Sequence, residues 1–266
     1  MEWEAMVIRP NASSALLSPS DPAPVAVENA GANSPFLIVC DHAGREVPKA
    51  LERLGLPDEA FDAHIAYDIG AAALAMRLGK ALGACVIRQT YSRLVIDCNR
   101  APGHPQSIVE ISDGVRIPGN IGLTAGDVAA RVAEIHRPYH DRIARELEGR
   151  AARGHATVLV CQHSFTPAMD GFARPWRISV LHMGASPMSS AMLEVLRAEP
   201  GLVVGDNQPY AMDGIDYTAP THASGPGLDM LELEVRQDLI ANDEGQARWA
   251  EKLARWLPAA LERTAR

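Results

Sequence analysis

The chain has 266 residues, 47% of them hydrophobic and 22% charged, with a formal net charge of -8. That length and apolar content suit one large globular domain with a well-buried core and exclude a chain disordered throughout. The basic residues do not cluster, so neither a nucleic-acid nor an anionic-membrane surface is expected, and an anionic substrate needs a local arginine pocket.

Residues 1–34 are rich in Ser, Pro, Ala and Asn without sustained periodicity. They read as an extended arm or lid, with 35–266 as a single domain. Glu2 and Glu4 stand where a signal peptide has its basic start, and no run of 18 apolar residues occurs, so a cytoplasmic protein without a membrane anchor is expected. Phe36 to Cys40 is a continuous apolar run that stops at Asp41-His42-Ala43-Gly44, the pattern of a buried strand entering a polar loop. Leu74, Leu78 and Leu82 recur at four-residue steps and predict a helix over 69–82. Val86-Ile87 then opens a strand, and Leu94-Val95-Ile96 predicts a third. Residues 126–150 carry the longest helical pattern, 157–161 and 178–181 are strand-like, and 187–198 is helical. Leu202 to Val204 and the alternating Leu231 to Val235 read as strands before a last helix near 244–258. Strands alternating with helices, several apolar on both faces, point to a three-layer α/β sandwich around a largely parallel or mixed central sheet. Cys40, Cys85, Cys98 and Cys161 lie in apolar runs too far apart for a CxxC element and are expected as buried thiols.

His42 follows one apolar strand and His163 ends another, so two strand ends each deliver an imidazole to the same edge of a sheet. Two imidazoles and a carboxylate suit a catalytic zinc, which keeps one position open. Asp68, Glu46 and Asp41 compete for the acidic place, and Asp68 has an alternative use as the N-cap of the helix that follows it. His64, four residues before Asp68, is a candidate to orient that carboxylate. Arg93, Asn99 and Arg100 flank a buried run, where an unpaired guanidinium is costly. They face either an acidic substrate or, for Arg100, Asp97 as an internal partner. Glu232, Glu234 and Arg236 share one face of the late strand, a polar row that is either solvated or carries a general base. His136 and His140 have zincin spacing, but no Glu follows the first and Pro138 disturbs the turn, so no metal is expected there. GxxxxGK[ST], GxGxxG at a strand–helix junction, and GxSxG do not occur, which counts against nucleotide binding and serine hydrolysis.

Through Asp41-His42-Ala43-Gly44, Tyr67-Asp68-Ile69-Gly70, Ser92-Arg93 with Asp97 to Arg100, His163 to Pro167, Gly205 to Tyr210, and Glu234 to Ile240, the sequence resembles the N-formylglutamate amidohydrolase family. The resemblance spans roughly residues 36–240. It implies a phosphorylase/hydrolase-like α/β fold akin to zinc carboxypeptidases and aspartoacylase-like deacylases. It also implies His42 and His163 as metal ligands, Glu234 and Arg93 as catalytic groups, and Asn99 and Arg100 as the substrate-carboxylate pair, with Arg236 a further substrate contact. Such relatives place an acidic ligand three residues after the first histidine; Arg45 stands there in this chain, and Asp68 is favoured over Glu46 as the third ligand. The implied reaction is hydrolysis of N-formyl-L-glutamate to formate and L-glutamate, a step suited to histidine breakdown. Two alternatives stand beside it: a deacylase or carboxypeptidase-like hydrolase of another acidic N-acyl amino acid or short peptide, and a non-catalytic binder of acidic metabolites.

Overall fold

The computed structural model describes residues 15–264 apart from 185, 213, 225 and 226. The first fourteen residues of the expected arm thus lie outside the described residues. Seven strands form one sheet: β1 (Val25–Glu28), β2 (Phe36–Cys40), β3 (Cys85–Gln89), β4 (Val158–Phe165), β5 (Ile178–Leu181), β6 (Val204–Asp206) and β7 (Asp229–Arg236). Their spatial order is β1-β3-β2-β4-β7-β5-β6. β3, β2, β4 and β7 run parallel to one another. β1 is antiparallel to β3, and β5, parallel to β6, is antiparallel to β7, so the sheet is mixed.

Among the described residues there are five α-helices, α1 (Ala71–Leu82), α2 (Ala125–Arg131), α3 (Arg137–Ala152), α4 (Pro187–Arg197) and α5 (Asp243–Thr264), and all but α2 pack on the sheet. Every residue of β2 and β4 is buried, as central strands with both faces covered require. On one face Ile38, Val160, Leu231 and Leu233 pack with Leu74 and Leu78 of α1, Met192 of α4 and Leu253 of α5. On the other, Val39, Leu159 and Cys161 pack with Tyr139 and Ile143 of α3. These layers are the three-layer sandwich expected from the sequence.

The structure departs from the local expectations at five places. Leu94-Val95-Ile96 is a turn and no strand. Its carbonyls are taken by side chains, Asn120 Nδ2 donating to Leu94 O at 2.9 Å and Arg131 Nη1 to Val95 O at 2.9 Å. Its apolar side chains fill a third cluster with Phe61, Ile117 and Ile135. The helix expected over 126–150 is two helices joined by a π-helical turn, Val132–His136, beside Pro138, which has no N–H to continue the ladder. The last helix runs on through Pro258 to Thr264, because Trp256, Leu257 and Ala260 are buried against the core and tertiary packing outweighs the lost hydrogen bond. The strand expected at 202–204 begins at Val204. Residues 25–28, within the segment read as an arm, add the edge strand β1.

Candidate active site

β2, β4 and β7 end at the same sheet edge, and their register sets what meets there. Val39 lies opposite Cys161, and Glu234 opposite His163. Asp41 and His42, just past the end of β2, therefore come level with His163. The loop carrying them lies directly on the backbone after β3: a Cβ at Gly44 would stand 1.8 Å from Thr90 O. Asp68 is brought in by backbone bonds, its N–H donating to His42 O at 2.9 Å while Ser164 Oγ donates to Ile69 O at 2.9 Å. Gly70 makes the close turn into α1; its φ is +80°, and a Cβ there would lie 2.2 Å from Ile240 O. Arg93 N donates to Ala66 O at 3.1 Å and Asp97 N to Ser107 O at 2.7 Å, which hold the loop after β3 against the same edge.

These segments enclose a cavity of about 670 Å³. His42, Asp68 and His163, all buried, offer donor atoms within 4.8 Å of one another, an arrangement that could hold a metal ion. Each imidazole has one nitrogen toward Asp68 and the other backed by a separate carboxylate. His42 Nδ1 stands 3.5 Å from Asp68 Oδ2, and its Nε2 is 2.7 Å from Asp97 Oδ1. His163 Nδ1 stands 3.0 Å from the same Asp68 oxygen, and its Nε2 is 3.3 Å from Asp41 Oδ2. His42 Nδ1 has no hydrogen-bond partner. Asp97 is hydrogen-bonded behind His42 and Asp41 stands 3.3 Å behind His163, the placement of the carboxylates in carboxylate–histidine–metal triads, so the donor set could hold a divalent metal.

Electrostatics agree with that arrangement. Burial pushes the Asp97 carboxyl up, but Arg93 and His42 outweigh it and hold it well below the usual carboxylate range. Asp68 and Asp41 are likewise lowered against burial, Asp68 by His42 and His163 and Asp41 by His163 and His42. Burial and Arg93 push His42 down, yet Asp97 and Asp68 leave it above its ordinary value. Burial has the opposite result at Glu232 and Glu234, which have no salt bridge among the described residues; both are pushed up to about 8 from 4.5. Each keeps one carboxyl oxygen, Oε2, without a hydrogen-bond partner. The solvated-face reading of this acid pair is thus excluded: Glu232 is 3% and Glu234 6% exposed, and both line the cavity.

Arg93 lines the cavity with its fork on Asp97 Oδ2, Nε at 3.1 Å and Nη2 at 2.7 Å. Asn99 and Arg100 are there too, but Arg100 does not pair with Asp97. Asn99 Nδ2 and Arg100 Nη1 both donate to Asp216 Oδ1, each at 3.1 Å. Three expected residues are not brought into the donor cluster. Arg236 forks onto Asp238 at 2.8 and 3.1 Å and reaches Arg174 O, because the chain turns into a 3-10 segment straight after β7. Glu46 is exposed and contributes a backbone bridge to Tyr91. His64 pairs with Asp113 at 3.1 Å and not with Asp68. Asp68 is not a helix cap: α1 is capped at Gly70 without a side-chain bond.

Other residues bear on the site in ways the sequence reading did not assign. His136 Nε2 lies 3.0 Å from Arg100 O and His140 Nε2 lies 2.9 Å from Cys98 O, so the zincin-spaced pair braces the segment that carries Asn99. Tyr210 lines the cavity, and its hydroxyl accepts from Arg174 at 3.0 Å. Their spacing is not diagnostic; only the fold relates them to the site.

Residues 34–241 match the family model described as N-formylglutamate amidohydrolase. No curated protein matches the chain. Among solved structures, the gene product Atu2144 from Agrobacterium tumefaciens is similar at 36% identity, covering 94% of this chain and 100% of that one, with a TM-score of 0.91. N-formylglutamate amidohydrolase from Ralstonia eutropha JMP134 is 20% identical, covering 92% of this chain and 99% of that one, with a TM-score of 0.66, a likeness in fold.

Proposed function

The chain belongs to the N-formylglutamate amidohydrolase family, and from that premise we propose that it is a metal-dependent hydrolase of N-formyl-L-glutamate or a similar N-acyl amino acid. The products are formate, or the corresponding acid, and the free amino acid. The observation that carries this reading is a buried three-donor cluster beside a buried, unpaired glutamate on the neighbouring strand. A non-catalytic binder has no use for that pairing.

In this reading His42, His163 and Asp68 hold the metal, zinc by the chemistry of its donors, and Asp97 and Asp41 keep the two rings oriented. A divalent metal held there supplies Lewis acidity to the scissile carbonyl and to the hydrolytic water. Glu234 takes the proton from that water and returns it to the amide nitrogen as the C–N bond breaks. Arg93, fixed by Asp97, stabilises the negative charge that develops on the carbonyl oxygen. Asn99 and Arg100 receive the substrate carboxylate. Four unpaired cysteines suit a reducing compartment, the cytoplasm, where release of glutamate would serve histidine breakdown.

The test is elemental analysis of the purified protein with amine release from a panel of N-acyl amino acids. N-formyl-L-glutamate is expected to head the panel. His42→Ala and His163→Ala are each expected to remove most bound metal and nearly all turnover, because an open three-ligand site cannot spare an imidazole. Full metal occupancy in both variants would overturn the site.

A further inference from the structure

The Asn99–Arg100 pair already holds a carboxylate. Asp216 Oδ1 accepts from Asn99 Nδ2 and Arg100 Nη1 together, as one oxygen of a ligand carboxylate would. The loop that carries Asp216 also builds the clamp. Tyr217 N and Thr218 N donate to Asn99 Oδ1 at 2.9 and 3.0 Å, which fixes the amide so that its NH2 is turned toward Asp216. Thr218 Oγ1 donates to Asp41 Oδ1 at 2.9 Å, tying the same loop to the carboxylate behind His163. Ile215 and Asp216 stand in the cavity wall with Asn99 and Arg100.

We infer that Asp216 is a specificity-determining residue: a built-in occupant of the carboxylate clamp that an incoming ligand carboxylate must displace. The inference rests on the reading of Asn99 and Arg100 as that clamp. A guanidinium buried without a partner is costly, and Asp216 gives Arg100 one in the free protein. A tethered carboxylate competes at an effective concentration in the millimolar range or above. Small monocarboxylates such as acetate, which offer the clamp one charge and nothing else, are therefore turned away. A larger acid displaces Asp216 only by adding contacts elsewhere in the cavity, so the clamp selects for the whole substrate.

The experiment titrates glutarate and acetate into the protein as purified, by calorimetry, at about 0.15 M and about 1 M salt, so that any salt-dependent share of the gain, which reports through-space repulsion, is separated from displacement. Asp216→Asn, which keeps the shape and removes the charge, is expected to tighten both ligands by roughly tenfold or more, acetate the most. Asp216→Ser, smaller and also neutral, is expected to act in the same direction. Unchanged or weakened binding in these variants would overturn the inference and make Asp216 a positioning residue for Arg100; loss of the fold in both would make it structural. Arg100→Lys in the parent chain separates the premise. If it leaves glutarate binding unaltered, the clamp itself is wrong; if it weakens glutarate while Asp216→Asn fails to tighten it, only the occupant is wrong.

Discussion

Glu232 and Glu234 sit two residues apart on one strand, in one cavity, both buried and both pushed up to about 8 by that burial. Their difference lies in what stands opposite. Glu234 is level with His163 of the donor cluster, whereas Glu232 is level with Cys161 on one side and Leu181 on the other. A glutamine copies the protonated acid but cannot accept a proton. Glu234→Gln is therefore expected to keep its metal while kcat falls by roughly 10²-fold or more, the usual worth of a positioned acid–base group. Glu232→Gln should stay near the parent enzyme. Steady-state kinetics with metal analysis decide it: near-normal turnover in Glu234→Gln, or loss of its metal, removes Glu234 from the role of base. At this scale the sequence disclosed the residues whose neighbours in the chain announce them. His42 and His163 end apolar runs, and Asn99 and Arg100 flank one. Asp216 was not legible, since its bond to Asn99 spans 117 residues and a lone aspartate in a loop carries no pattern. Arg236 stands on β7 where alternation puts it, but alternation does not disclose that its guanidinium turns to Asp238, two residues past the strand's last residue.

Among the elements, those built on uninterrupted apolar runs or clean periodicity were readable to within a few residues, as β2, β4, β7, α1 and α4 show. Leu94 to Ile96 has the composition of a strand, yet Asn120 and Arg131 take its carbonyls, and neither residue is near it in sequence. Composition reports burial; which donor satisfies the backbone decides the conformation. The turn from Asp68 into α1 illustrates the reverse, a local requirement set by a distant element. Gly70 has positive φ and no room for a Cβ beside Ile240 O, so Gly70→Ala must move either α1 or the segment bearing Asp68. It is expected to lose about 1–3 kcal/mol of stability, the range for strained backbone, and also to weaken metal binding, because Asp68 is two residues away. Denaturant melts paired with metal titration test this. Metal affinity unchanged in a destabilised variant would show that Asp68 is held from His42 and Ser164 independently of the turn.

For the whole molecule, a mixed sheet with helices on both faces gathers strand ends from β2, β4 and β7 and thereby concentrates buried titratable groups at one edge. Alternating strands and helices disclosed the layers. The reversal of β5 and β6 was not readable, because strand direction depends on connections whose paths local pattern does not encode. The concentrated charge has a consequence for stability. Glu232 and Glu234 rise from 4.5 to about 8 on folding without metal, so their contribution is fully present below pH 4.5 and is lost as the pH climbs through 8. His42 and His163 are raised above 6.5, and their contribution likewise fades as the pH rises past that value. Asp41, Asp68 and Asp97 are lowered, so theirs is present above 3.8 and lost only in stronger acid. Above about pH 6.5 and up to 8 the first two sets give the metal-free protein a Tm that falls with pH, whereas His136, His140 and His222, all lowered by burial, add stability as the pH rises through 6.5 and act alike with and without metal. Metal binding has the opposite sign, since it needs deprotonated imidazoles and competes with protons. The Tm difference between metal-loaded and chelator-treated protein is therefore expected to widen from pH 5.5 to pH 8. Glu232→Gln should flatten the metal-free curve by removing one titrating group. Scanning calorimetry at both pH values measures it, and a gap that is constant or narrows with pH would mean that these buried groups are paired as folded and do not await a cation.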